Sequence, residues 1–118
     1  MSYNSEQEDF FHVIETDTFV KWLDKLKDRK ARSILIGRVR GITFGEFGDT
    51  KTLGNGLNEM RVHYGPGYRI YWIRVRGKFI VLLAGGNKST QSRDIKKARV
   101  LLQEVKRRFK DDCEVKDV

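Results

Sequence analysis

Apolar and polar positions alternate along the chain in two distinct periods. Residues 10–15 alternate with β-branched and aromatic character, Phe11 and Val13 against His12 and Ile14, and predict a first strand. Thr16 and Asp17 are both N-cap residues. Phe19, Trp22, Leu23 and Leu26 then follow at i, i+3, i+4 and i+7, one apolar stripe of a short helix. Residues 28–30 break that stripe. A second helix is expected over roughly 30–44, where Ala31, Ile34, Leu35, Val39 and Ile42 keep helical spacing and Arg32, Arg38 and Arg40 stay off the stripe. The two helices form an antiparallel hairpin. Gly45 and Gly48 end it, and residues 46–56, with glycines at 48, 54 and 56, read as an irregular loop.

Three strands follow. Residues 58–64 alternate, with Met60 and Val62 on one side and Glu59, Arg61 and His63 on the other. Gly65-Pro66-Gly67 is a turn, residues 68–76 form the next strand, Gly77 turns, and residues 78–84 form the last, continuously apolar over 79–83 as a covered central strand is. On the middle strand Arg69, Tyr71 and Ile73 share a face opposite Tyr68, Ile70 and Trp72, and Arg69 can pair with Glu59 across strands. Gly85-Gly86 is expected to stop the meander, and residues 87–92 to form a polar loop. Thr90 or Ser92 then caps a final helix reaching about Phe109, with the stripe Ile95, Ala98, Leu102, Val105 and Phe109. The order β-α-α-β-β-β-α is an α+β architecture, a helical hairpin and a C-terminal helix packed on a small twisted antiparallel sheet. One domain over 10–109 is expected, with a frayed tail at 1–9 and an acidic tail at 110–118.

Charge sharpens this picture. The net charge is +8, and it is uneven. Between Arg61 and Arg108 stand thirteen basic residues against only Asp94 and Glu104, so the rest of the chain is slightly acidic. A polyanion such as nucleic acid is the natural partner of such a surface. Cys113 is the only cysteine, which excludes an intramolecular disulfide and suits a reducing cytoplasmic compartment. The longest apolar run covers only 79–84, far short of the roughly 20 residues a membrane-spanning helix needs. The polar, acidic first nine residues do not read as a signal peptide.

Two histidines and one cysteine lack zinc-type spacing, no Walker motif is present, and Gly65-Pro66-Gly67 precedes no helix. No metal and no cofactor is therefore expected. What remains is a polar group around the sheet: Arg61 and His63 on one strand face, Arg69 on the next strand, and Lys88 in the loop beyond, where Gln91 and Arg93 follow. Such a group suits RNA cleavage by 2′-OH attack. That step needs a base for the 2′ proton, cations for the charged transition state, and an acid for the 5′ oxygen. Tyr68 and Tyr71 are candidates for stacking on splayed bases. Lys96 and Lys97, on a helix face without balancing acids, are candidates for phosphate contact. Each residue has a plainer role open to it, as an exposed strand residue, a core aromatic or a solvated cation.

Residues 58–71, NEMRVHYGPGYRIY, resemble the (L/M)R(I/V)HYGPGYR(I/V)Y signature of the HigB-like branch of the RelE/ParE toxins. Residues 82–91, LLAGGNKSTQ, followed by Asp94, Ile95 and Ala98, resemble the LLxGGDKSxQxxDIxxA stretch of the same branch. The resemblance covers about residues 12–105. It implies a compact microbial RNase-like fold and a type II toxin that cleaves mRNA, commonly in the ribosomal A site. It implies a tight antitoxin partner, often a helix-turn-helix protein, and an operator DNA bound through the joint complex. By position, Arg69 takes the place of a phosphate-binding arginine, Arg61 and His63 fall near basic strand residues, and Lys88 falls near another catalytic arginine. RelE itself uses a tyrosine near its C-terminus, and residues 95–118 here contain none. His63, Tyr71 and Lys88 are left as candidates for proton transfer. The competing readings are a gyrase poison of the ParE type and a nucleic-acid-binding module without catalysis. Because Arg69 adjoins a turn, Arg69→Ala is expected to cut activity far more than stability.

Overall fold

The computed structural model describes residues 10–109 and 115–116. The first strand, β1, spans His12–Glu15, and Thr16 caps the helix α1 (Asp17–Asp24) by accepting the Phe19 amide at 3.1 Å. Asp28, which interrupts the apolar stripe, caps α2 (Arg29–Thr43) by accepting the amides of Lys30 and Ala31 at 3.0 and 3.1 Å. The segment expected to be an irregular loop holds a strand, β2 (Asp49–Gly54), paired antiparallel with β3 (Leu57–Val62). Its pattern was hidden because it is an outer strand with Thr50 and Leu53 half-buried and the rest exposed. The meander continues through β4 (Tyr68–Val75) and β5 (Phe79–Asn87). A single 3-10 turn, Lys88–Thr90, leads into α3 (Gln91–Arg108).

β5 does not stop at Gly85-Gly86. It runs on to Asn87, pairing with Tyr68, Arg69 and Ile70 of β4, and the two glycines stand there because two neighbours need bare backbone. Any Cβ on Gly85 would meet the Trp22 ring, and any on Gly86 would meet Asp94 and Thr90. The expected polar loop is instead a cap. The Asn87 side chain accepts the amides of Ser89 and Thr90 at 2.9 and 3.2 Å, and the Thr90 hydroxyl accepts the Asn87 amide at 3.1 Å.

The sheet order is β1-β5-β4-β3-β2. All pairs are antiparallel except β1 with β5, which is parallel, so the sheet is mixed where an antiparallel one was expected. A short strand, β6 (Val115–Lys116), in the segment expected to be a loose tail, pairs antiparallel with Arg74 and Val75 of β4. The expected tail at 1–9 lies outside the described residues, as does most of 110–118.

Helices cover both faces. On one, Phe19, Leu23, Ala31, Leu35 and Ile42 bury against Met60, Val62, Tyr68, Ile70, Trp72, Ile80 and Leu82. On the other, Ala98, Leu102 and Val105 of α3 bury against Leu57, Tyr71, Ile73, Val75, Val81, Leu83 and Ala84. The alternation along β4 is the one read from its sequence. A bulge between Tyr71 and Trp72 in the β4–β5 register turns both Leu83 and Ala84 toward α3. No helix among the described residues is long and apolar enough to cross a membrane.

Candidate active site

On the face of the sheet that α3 packs against, the turn end of β3 and β4 carries half-buried arginines in place of core residues. There a single cross-strand row runs Asp49, Arg61, Arg69, Gly86, one residue from each of β2, β3, β4 and β5. Two arginines thus stand directly opposite each other. Like charges in that relation repel unless they are compensated. Each has its own carboxylate. Arg61 Nη2 lies 3.3 Å from Asp49 Oδ1, and Arg69 Nε lies 3.4 Å from Glu59 Oε2. The Glu59–Arg69 pair is the one the alternation allowed.

The two pairs differ in depth. Asp49 and Arg61 are partly exposed, whereas the Glu59 side chain is 1% exposed and that of Arg69 12%. Gln91, at the start of α3, donates from Nε2 to Glu59 Oε2 at 2.7 Å. Gln91 therefore props the carboxylate under Arg69 and does not point outward as a nucleic-acid contact. This arrangement corrects the expectation that Arg69→Ala would leave stability nearly intact, because it would strand a buried carboxylate.

His63 follows the end of β3 and is 74% exposed, with Nε2 2.6 Å from Asp49 Oδ2. A carboxylate only accepts, so Nε2 carries the proton, and in the neutral ring Nδ1 is left with a lone pair. Nδ1 makes no hydrogen bond among the described residues. The His63 hydrogen bond, with help from Arg61, holds the Asp49 carboxyl below its ordinary value against an opposing desolvation effect. Asp49 lay in the segment read as a loop, and its place in the site becomes legible only through the β2–β3 register.

Lys88 is exposed on the 3-10 turn. Its amide donates to the Gly67 carbonyl at 2.9 Å, which fixes the turn beside the β3–β4 hairpin. Gly67 has φ +80°, and a Cβ added there would come within 3.7 Å of Arg69 Nη1 and 3.8 Å of Lys88 Cβ. So Arg61, His63, Arg69 and Lys88 gather around one end of the sheet.

The other candidates separate. Tyr71 lies on the same face but is fully buried; burial and the nearby Glu59 carboxylate push its pKa well above the ordinary tyrosine value. It keeps its proton, has no exposed ring to stack on, and is withdrawn as a proton-transfer group. Tyr68 faces the opposite side, 7% exposed and edge-on to Trp22 at 6.3 Å between centroids. Burial raises its pKa as well. Arg93 and Lys97 are exposed and line a cleft between α1 and α3. Lys96 is exposed but does not line that cleft.

The fold is RelE-like. A free-state structure of the Escherichia coli toxin RelE carrying two arginine-to-alanine substitutions superposes with a TM-score of 0.56, at 15% identity, over 75% of this chain and 97% of that one. The chain belongs to the same family as an uncharacterized protein of Haemophilus influenzae, with which it is 44% identical over 90 residues, 76% of this chain and 91% of that protein. No family model matches the chain.

Proposed function

We propose that the protein is the toxin of a type II toxin–antitoxin system, of the HigB-like branch, and that it cleaves mRNA on the ribosome and so inhibits translation. The observation that carries this reading is the facing pair Arg61 and Arg69, each backed by its own carboxylate, with His63 and Lys88 at either side. Two opposed guanidinium groups, each held in place by its carboxylate, are spaced to donate together to one phosphate.

In the proposed step His63 Nδ1 takes the 2′ proton while Asp49 holds the ring. The 2′ oxygen attacks phosphorus, Arg61 and Arg69 neutralise the extra charge, and the bond to the 5′ oxygen breaks as Lys88 supplies its proton. The products are a 2′,3′-cyclic phosphate and a 5′-hydroxyl. No metal ion is assigned a part in it. The partner proposed for the resting state is an antitoxin, a helix-turn-helix protein through which the complex binds operator DNA.

The test is brief induction in a bacterial host with mapping of mRNA 5′ ends across the transcriptome. The comparison is with Glu59→Gln/Arg69→Gln, which removes the buried charge pair as a unit. New ends at codon-related positions in the wild type alone are expected. Growth arrest without new ends would sink the reading in favour of another target such as gyrase.

A further inference from the structure

The edge of β5 beyond the proposed site is open. β1 pairs with β5 only as far as Leu82, and Thr16 closes the pairing by donating its amide to Leu82 O and its hydroxyl to Leu83 O. The chain then leaves as α1. From Gly85 to Asn87 that edge of β5 has no strand beside it among the described residues. It floors a cleft of about 430 Å³ whose walls are α1 and the start of α3.

Thr18, Lys21 and Trp22 of α1, with Lys25 at its C-cap, face the cleft at i, i+3, i+4 and i+7 along one side. Arg93 and Lys97 face it from α3. Four cations thus surround one acid, Asp94, which is buried and accepts the Thr90 hydroxyl. No ion pair among the described residues involves Lys21, Lys25 or Lys97, and Arg93 approaches Asp94 only to 3.9 Å. Cations at the end of α1 also suit the helix dipole, but that does not require two of them to face α3 across a cleft.

The geometry points to a second phosphate-binding station, in which Lys21 and Lys25 of α1 hold the backbone of the RNA strand beyond the cleavage site. It rests on the ribonuclease reading and extends its surface. Gly86 is shared by both places: it opposes Arg69 in the sheet register and lines the cleft. A strand crossing Arg61 and Arg69 therefore reaches Gly86 and Asn87 next, and enters between the lysines. The open backbone edge and mobile ammonium groups suit a phosphodiester of any sequence.

The test uses the full chain, a labelled 2′-O-methyl RNA oligonucleotide that resists cleavage, and fluorescence anisotropy over a salt series. Lys21→Gln/Lys25→Gln should bind about tenfold more weakly, and the magnitude of the slope of log affinity against log salt should fall by about 1.4, the single-strand value for two lost phosphate contacts. Circular dichroism should be unchanged, since both side chains are exposed. Unchanged affinity and slope would overturn the station, as would a wild-type chain that fails to bind the oligonucleotide. A loss of affinity for an acidic peptide in place of RNA would also overturn it and reassign the cleft to a protein partner. Cleavage read separately, with Glu59→Gln/Arg69→Gln as control, keeps the two proposals apart. RNA affinity that depends on the lysines without any cleavage leaves the station standing and removes the ribonuclease.

Discussion

Arg69 is held from beneath by a carboxylate that solvent does not reach, and this sets how the residue responds to change. Arg69→Ala should destabilise the fold by about 3–5 kcal/mol, because Glu59 would lose its cation while remaining buried. Glu59→Gln/Arg69→Gln should recover most of that loss, since both charges leave together. Urea denaturation of the two variants checks this; equal loss in both would mean that the pair contributes nothing beyond its packing. Arg61, a third exposed and tied to exposed Asp49, should tolerate alanine with little loss of stability.

Asp49 carries the pH signature of the same cluster. Its folded-state pKa is depressed, so its link to His63 contributes above the ordinary carboxylate value and is lost as pH falls through the lower folded value. Carbon-detected NMR titration should place its midpoint below 3.8 and return it toward that value in His63→Ala. A midpoint that does not respond to His63→Ala would remove the dyad.

At the scale of elements, the helices and the β3–β4–β5 meander were legible because their periodicities are strong and their turns carry glycine or proline. Facing residues on β4 were assigned to the correct sides from alternation alone. β2 was not legible: its residues are mostly exposed, so no hydrophobic period marks it. Asp49 was lost with it. The parallel β1–β5 pair was equally hidden, since nothing local in residues 12–15 names a partner at 79–82. Gly85-Gly86 looked like punctuation, yet it is a continuation that lets Trp22 and Asp94 come close. Gly86→Ala should therefore cost about 1–3 kcal/mol by overpacking, with Asp94 and Thr90 displaced. Thermal melts check it; a neutral substitution would show that the α3 start can retreat freely. Leu102→Ala, in the core beneath α3, should cost about 2–4 kcal/mol.

For the whole molecule, the excess of positive charge read from the sequence is divided among distinct surfaces. Arg61, His63, Arg69 and Lys88 lie around one end of the sheet, and Arg93 and Lys97 line the cleft beside it. Lys96, next to Lys97 in sequence, lies outside the cleft. Charge reversal at Lys97 should accordingly weaken RNA binding at moderate salt more than reversal at Lys96. Equal effects in a competition assay would mean that only net charge matters.

The parallel pairing of β1 with β5 also governs time. His12 finds its neighbour Phe79 only after more than half the chain has been made. Until then the first strand and the hairpin that follows it wait without the strand they must lie against. Thr16 closes the joint from the other side of the same gap, through Leu82 and Leu83. Gly86, Lys88 and Gln91 arrive later still. The cluster proposed to cut RNA is thus completed only once Lys88 has followed β5 out of the ribosome.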